Sequence, residues 1–116
     1  MADSLDMVKL ACHGLSEKKA EDIEVIDISE VSVMSDYFIL ASASNQNQMS
    51  ALVRSVDEEM TKAGYTLKSQ EGNQYSSWIL LDYTDIIVHL FTREDREFYS
   101  LEKLWQDGKK VEIEIA

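Results

Sequence analysis

The spacing of hydrophobic residues changes several times along the chain, and each change predicts a helix or a strand. From residue 4 to about residue 19, apolar side chains recur every three or four positions, which predicts an amphipathic helix interrupted at Gly14. Residues 24–28 alternate imperfectly and predict a strand, and the polar-mixed residues 29–35 predict a loop. Residues 37–43 are apolar at nearly every position, which is typical of a central strand buried on both faces.

A second helix is predicted to follow this central strand and to end at residue 63. Asn45 suits the N-cap, Gln48 three positions later completes a capping box, and Gly64 suits the position just after the last turn. Residues 66–70 predict a short strand. Because strand, helix and strand follow one another, this strand is expected to lie parallel to the central strand and beside it, after a right-handed crossover.

Residues 78–91 predict a β-hairpin, because two apolar runs rich in β-branched and aromatic residues flank the turn formers at 82–85. Alternation places Trp78, Leu80 and Asp82 on one face of the first strand. Both faces of the hairpin are mostly apolar, so each must be covered by helix, by a second copy of the chain or by a partner protein.

The remaining C-terminal residues predict one more helix and one uncertain segment. Residues 94–105 carry an apolar side at helical spacing and predict a short final helix, whereas residues 106–116 are interpreted as an edge strand or a tail. The chain has no internal repeat and no linker, so residues 1–116 are expected to form one domain. The element order indicates an α/β fold with a sheet of about five strands and flanking helices.

The charge balance bears on the kind of partner. Twenty-two acidic residues against eleven basic ones give a net charge of −11. A surface of this sign repels phosphate backbones and anionic membranes over about 8 Å, so direct binding of DNA or membranes is disfavoured. The charge either keeps a small protein in solution or assists the approach of a basic protein.

The N-terminus and the single cysteine indicate a cytoplasmic protein. The sequence has neither an apolar run of about eighteen residues nor a basic segment followed by an apolar one at its start, so no membrane span or signal peptide is predicted. Cys12 has no second cysteine to pair with, which fits a reducing compartment. It lies on the apolar stripe of the first helix and is interpreted as a buried packing thiol, not a nucleophile.

Signatures of catalysis, cofactors and metals are missing from the sequence. It contains no glycine-rich phosphate loop and no Gly-x-Ser-x-Gly segment, and its cysteine and histidines lack zinc-site spacing. Asp82 and Asp85 bracket the hairpin turn closely enough to hold a cation or to do acid–base work, but turn formation explains them more simply. His89 stands between apolar strand residues and is interpreted as a structural or interface histidine, not a general base.

Trp78 is the best candidate for a binding anchor. Protein interfaces concentrate their binding energy in aromatic side chains, and Trp78 and Tyr83 stand beside the acidic residues of the turn. The alternative interpretation is that Trp78 only fills the core.

These motifs together resemble the ribosomal silencing factor family, RsfS, also called the Iojap family. The matching segments span about residues 20–105 and are Ser35-Asp-Tyr-Phe38, Ala41-Ser-Ala-Ser44 with Gln48, Glu71-Gly72, Trp78-Ile-Leu-Leu-Asp82, Asp85-Ile-Ile-Val-His-Leu-Phe91, Arg96-Glu-Phe-Tyr99 and Leu101-Glu-Lys-Leu-Trp105. Two positions differ from the family pattern, since Thr84 and Ala43 each replace a usual glycine. Thr84 is therefore expected to adopt an unfavourable turn conformation.

The resemblance implies a mixed α/β domain, like that of nucleotidyltransferases but without their catalytic motif, in a protein that is not an enzyme. It also implies binding to the large ribosomal subunit through ribosomal protein L-fourteen at the intersubunit face. Binding there blocks subunit joining and represses translation under nutrient limitation, and homodimers are common in the family. The partner-binding residues implied are Trp78, Leu80, Asp82, Tyr83, Asp85 and His89, with Glu71 and Asp36 as further polar candidates; Arg96, Tyr99, Glu102 and Trp105 also match.

Two other functions share these sequence features. One is a nucleotidyltransferase-related protein that binds nucleotides, which saturable heat in a calorimetric titration with nucleotide and magnesium would reveal. The other is a homodimeric adaptor for a different basic protein, which differs only in the partner.

Overall fold

The computed structural model describes residues 4–30, 33, 35–73 and 75–93, and the backbone of residues 109–111. Within these residues two helices and six strands follow one another: α1 (Ser4–Glu17), β1 (Glu21–Asp27), β2 (Tyr37–Ala43), α2 (Gln46–Lys62), β3 (Ser69–Glu71), β4 (Trp78–Asp82), β5 (Ile86–Thr92) and β6 (Lys109–Val111). The strands form one mixed sheet in the order β3-β4-β5-β2-β1-β6. The predicted α/β fold with a mixed sheet is confirmed. The helix predicted for residues 94–105 lies outside the described residues.

The centre of the sheet is the parallel pair β2 and β5, and all other neighbouring strands are antiparallel. Six of the seven residues of β2 are buried, which confirms the predicted central strand. The predicted hairpin is also confirmed, because β4 pairs with β5 from Trp78 to Asp82. At the other edge β6 pairs with β1, so residues 109–111 form the edge strand that was one of the two interpretations of the C-terminal segment.

The sequence predicts the wrong neighbour for β2. We expected a strand at residues 66–70, parallel to β2 and beside it, but β3 spans Ser69–Glu71 at the far edge and pairs antiparallel with β4. The parallel neighbour of β2 is β5. The physical reason is burial: all three residues of β3 are exposed, whereas five of the seven in β5 are buried and gain from the central position.

Helices α1 and α2 cover one face of the sheet. Their apolar sides are buried against alternate residues of the central strands, including Ile39, Val88 and Leu90. The predicted interruption of α1 at Gly14 is wrong, because the helix continues to Glu17. Gly14 instead marks the helix crossing: the Ser55 hydroxyl donates to its carbonyl at 2.7 Å, and a Cβ there would lie 2.9 Å from the Ser55 carbonyl oxygen.

The N-cap and the final glycine of α2 are placed as the sequence predicts. The capping box is not formed as expected, because Gln48 Oε1 accepts the backbone N–H of Ser44 at 2.6 Å and not that of Asn45. The Asn45 side chain accepts a hydrogen bond from the Gln48 backbone N–H at 2.8 Å, as an N-cap does. The Gln48 side-chain amide also donates to the carbonyls of Lys18 and Lys19, so it satisfies groups left open where α1 ends. At the other end, Gly64 has a φ of +90°, the conformation expected just after a helix.

The opposite face of the sheet, called the second face below, carries its own apolar cluster. Its buried members are Ile26, Ile28, Phe38, Leu40 and Phe91, with Trp78 and Ile87 partly buried against them. Both faces of the sheet are therefore apolar, as predicted for the hairpin. None of the described helices is long and apolar enough to cross a membrane.

Candidate functional site

Five of the predicted partner-binding residues lie together on the second face. In the strand register Leu80 stands between Glu71 on β3 and His89 on β5. Residues paired across strands in this way point to the same side of the sheet. Trp78 and Asp82, two positions before and after Leu80, share that side because side chains alternate along a strand. This group lies at the β3–β4 edge of the sheet.

Two neighbours hold the indole ring of Trp78. The ring stacks on Phe91 with a centroid separation of 5.1 Å and an interplanar angle of 29°. Its Nε1–H donates to Nδ1 of His89 at 3.3 Å. The side chain stays partly exposed, so Trp78 both packs on the second-face cluster and presents surface at the edge. The two interpretations of Trp78, core filler and surface anchor, are compatible in this geometry.

His89 is a buried, neutral partner of Trp78. The residue is 5% exposed and its ring meets the edge of Phe38 at a centroid separation of 4.7 Å. Burial lowers the pKa of His89 from 6.5 to about 4. Because Nδ1 accepts the Trp78 hydrogen bond, the single proton of the neutral ring lies on Nε2, a buried atom with no hydrogen-bond partner among the described residues. This arrangement favours the structural interpretation of His89 over a general base.

The hairpin turn gathers three predicted aspartates at one end of the sheet. Asp82 Oδ1 accepts the backbone N–H of Thr84 at 2.7 Å, which is the turn role expected of it. The Asp36 N–H donates to the Asp85 carbonyl at 2.8 Å, so the start of β2 is tied to this turn. Nowhere in the described part of the chain do three His, Cys, Asp or Glu side chains form a group that could hold a metal.

Thr84 has the unfavourable conformation that the missing glycine predicts. Its φ is +77°, and the Asp85 N–H donates to the Tyr83 carbonyl at 3.0 Å across it, which closes a three-residue γ-turn. A β-branched residue with positive φ is strained. The Ser35 hydroxyl donates to the Thr84 carbonyl at 2.9 Å and helps to hold the turn.

Tyr83 lies apart from the group around Trp78. Its side chain is 3% exposed and belongs to the core under the helices, on the face opposite Trp78. Its hydroxyl donates to Asp57 Oδ1 on α2 at 2.9 Å. Burial, together with this hydrogen bond, holds the pKa of Tyr83 well above its ordinary value. Tyr83 therefore connects the hairpin to α2.

Cys12 is the packing thiol that the sequence predicts. It is 1% exposed in the helix-side core, and burial raises the pKa of its thiol to about 12. A thiol with this pKa is protonated at neutral pH and is not a nucleophile.

Two residues at the β3–β4 edge are not predicted as site residues from the sequence. Arg54 on α2 and Gln70 on β3 line a depression on the helix side of this edge, with Ile79 among its other walls. Hydrophobic spacing gives no signal for them, because both are exposed polar residues whose proximity depends on the position of β3 in the sheet.

Comparison with known proteins identifies relatives along the whole chain. The family described as "RsfS: Ribosomal silencing factor during starvation" matches residues 1–116. The ribosomal silencing factor RsfS of Bacillus subtilis is 32% identical over 110 residues, which cover 95% of this chain and 93% of that protein. A crystal structure of a Chromobacterium violaceum protein has a TM-score of 0.88 and 29% identity, covering 99% of this chain and 95% of that chain. The mouse "Mitochondrial assembly of ribosomal large subunit protein 1" is 31% identical over 98 residues, 78% of this chain and 41% of that protein.

We expect His89 to make the fold less stable as the pH decreases. Its folded pKa of about 4 lies below the ordinary 6.5, so the unfolded chain binds the proton more tightly. The contribution of His89 to the free energy of unfolding is therefore fully present above pH 6.5. It is lost as the pH falls from 6.5 toward 4, by about 1.4 kcal/mol per pH unit. Urea denaturation above about pH 5, where most carboxylates are still ionised, measures this slope.

Two variants test this assignment. His89→Gln keeps an acceptor for the Trp78 N–H but does not titrate, so the slope should largely disappear. His13→Gln removes the other histidine, whose side chain is 44% exposed and lies 3.4 Å from Glu17, and serves as the matched control. Equal slopes in both variants would contradict a buried, neutral His89.

Relief of strain at Thr84 is expected to stabilise the fold. Thr84→Gly should raise the free energy of unfolding by about 1 kcal/mol, because glycine adopts a positive φ without a steric penalty. Thr84→Ala retains a Cβ and should gain much less. Thermal and urea unfolding of both variants measure the difference; if alanine stabilises as much as glycine, the conformation at residue 84 is not the source of strain.

Proposed function

The chain belongs to the RsfS family of ribosomal silencing factors, and we propose that it binds the large ribosomal subunit and blocks its joining to the small subunit. The proposed contact is ribosomal protein L-fourteen, at the face where the two subunits meet. The proposed outcome is repression of translation when nutrients are limited. The family match along residues 1–116 is the observation that carries this proposal.

The β3–β4 edge is the surface that best fits such a contact. Trp78 is partly exposed there, and its ring is fixed from below by Phe91 and His89. A large aromatic side chain that is already ordered loses little entropy on binding, which is the property of an interface anchor. Leu80 continues the apolar surface, and the Glu71 carboxylate lies beside it.

Charge supports a basic protein as the partner. The chain carries a net charge of −11, and the second-face group contains Glu71 and Asp82. Asp85 and Asp36 extend this acidic border around the end of the sheet, where Asp85 is exposed and Asp36 partly exposed. Such a border attracts a basic ribosomal protein and repels bare RNA phosphates.

The predicted partner-binding residues therefore divide into two roles. Trp78 and Leu80 are the proposed apolar contacts, and the acidic residues Glu71, Asp82, Asp85 and Asp36 are the proposed polar border. His89 and Tyr83 are buried and have indirect roles in this proposal. His89 positions the indole of Trp78, and Tyr83 connects the hairpin to α2.

The proposed mechanism is steric exclusion. A protein of 13.2 kDa that occupies a junction between two subunits prevents their contact without any chemical step. Affinity and residence time then determine the degree of silencing. The proposal includes a homodimer, in which a second copy of the chain covers exposed apolar surface and competes with the ribosomal partner for it.

Co-sedimentation with purified ribosomal subunits tests the function. We expect the protein to sediment with the large subunit alone, and addition of the small subunit should then yield fewer joined ribosomes. Trp78→Ala should weaken large-subunit binding by at least about 2 kcal/mol, because truncation of an interface anchor commonly has that cost. Quantification of the bound fraction across a concentration series measures the loss.

Tyr65→Ala is the matched control for Trp78→Ala. Tyr65 is a partly buried aromatic residue that packs on the helix-side core, so its truncation leaves the second face untouched. Circular dichroism establishes that both variants fold. A folded Trp78→Ala variant with unchanged affinity would rule out Trp78 as the anchor, and sedimentation of the wild type with neither subunit would rule out the proposed function.

A further inference from the structure

The outer side of β3 is an open sheet edge. β3 is the first strand in the sheet order, and among the described residues it pairs with β4 alone. All three of its residues are exposed. An edge strand presents unpaired backbone N–H and C=O groups along its free side, and these groups pair readily with an extended segment of another chain.

A depression flanks this edge on each face of the sheet. On the second face Glu71, Gly72, Trp78 and Leu80 surround a depression of about 170 Å³. On the helix side a depression of about 280 Å³ is lined by Ser50, Val53, Arg54, Gln70 and Ile79. Both are smaller than the roughly 300–1,000 Å³ of small-molecule sites, so they fit single side chains better than a free metabolite.

The two depressions carry opposite charges. Among the described residues that line them, Glu71 is the charged residue of the second-face depression, and Arg54 is the charged residue of the helix-side depression. Neither has an ion-pair partner among the described side chains. An exposed arginine without a partner is notable in a chain that has twice as many acidic residues as basic ones.

We propose that the β3 edge binds an extended strand of the ribosomal protein partner, whose successive side chains enter the two depressions alternately. In an added strand, neighbouring residues point to opposite faces of the sheet. A lysine or arginine on the second face would lay its stem over Trp78 and reach Glu71. The next residue, an aspartate or glutamate, would meet Arg54 on the helix side.

The geometry favours a strand over other forms of partner. A helix lying on one face would contact only one depression, whereas the backbone of an added strand, about 4.8 Å from β3, reaches both. The contact also continues the proposed Trp78 surface, since Trp78 and Leu80 line the second-face depression. This inference rests on the proposed function for the identity of the partner and adds the mode of binding.

Amide exchange tests the strand pairing directly. The complete chain, labelled with nitrogen-15, is examined by NMR alone and with unlabelled ribosomal protein L-fourteen. We expect the amides of residues 69–71 whose N–H groups point away from β4 to exchange at least about tenfold more slowly in the complex, because new hydrogen bonds protect them. Pairing at another edge would instead protect residues 109–111.

Charge reversal on the helix side provides the second measurement. Arg54→Glu should weaken L-fourteen binding at least about tenfold more than Lys9→Glu does. Both substitutions change the net charge by the same amount at exposed helix positions, but Lys9 lies on α1, which packs on α2 and on strands β2, β5 and β1, and not among the residues that line the depression. The difference between the two losses of affinity measures the contribution of the helix-side depression separately from the effect of net charge.

The outcomes separate the two proposals. If the wild type binds L-fourteen, but residues 69–71 remain unprotected and the two charge variants bind equally, strand addition at β3 is overturned while the proposed function stands. If the wild type does not bind L-fourteen at all, the proposed contact fails, and the strand proposal that names this partner fails with it.

Discussion

The parallel pairing of β2 with β5 is the constraint on which the rest of the structure depends. Parallel neighbours cannot be joined by a tight turn, so the chain must leave the sheet after β2 and return from the other end. The detour forms α2, which covers one face of the pair, and then β3 and β4, which extend the sheet beyond β5. The exposed β3 edge and the position of Trp78 both follow from this route.

Strand β4 serves the core and the surface with alternate residues. Ile79 and Leu81 are buried under the helices, whereas Trp78 and Leu80 are partly exposed on the second face. Tyr83 continues the buried series and adds a hydrogen bond to α2. One short strand thus fixes the hairpin against the helices with one set of side chains and carries the proposed binding residues Trp78 and Leu80 on its other side.

Patterns among neighbouring residues predicted most of the fold. The sequence carried no comparable signal for contacts between residues that lie far apart along the chain. The helices, the doubly buried β2 and the hairpin follow from spacing and capping, which neighbouring residues determine. The position of β3 does not, because three exposed residues carry no apolar pattern that selects a neighbour. The family motif grouped Tyr83 with Trp78, although alternation already separates them. Arg54 had no signal, since its relevance depends on where β3 lies.

The contact between Trp78 and His89 orders the side chain that we propose as the binding anchor. An exposed tryptophan that rotates freely would lose that freedom on binding, and the loss would lower its affinity. Stacking on Phe91 and the N–H bond to His89 remove most of this freedom beforehand. The bond requires a neutral imidazole, because a proton on Nδ1 would meet the indole N–H. Because burial lowers the pKa of His89 to about 4, the ring stays neutral well below physiological pH, so a residue that titrates in many proteins here holds the indole in one orientation.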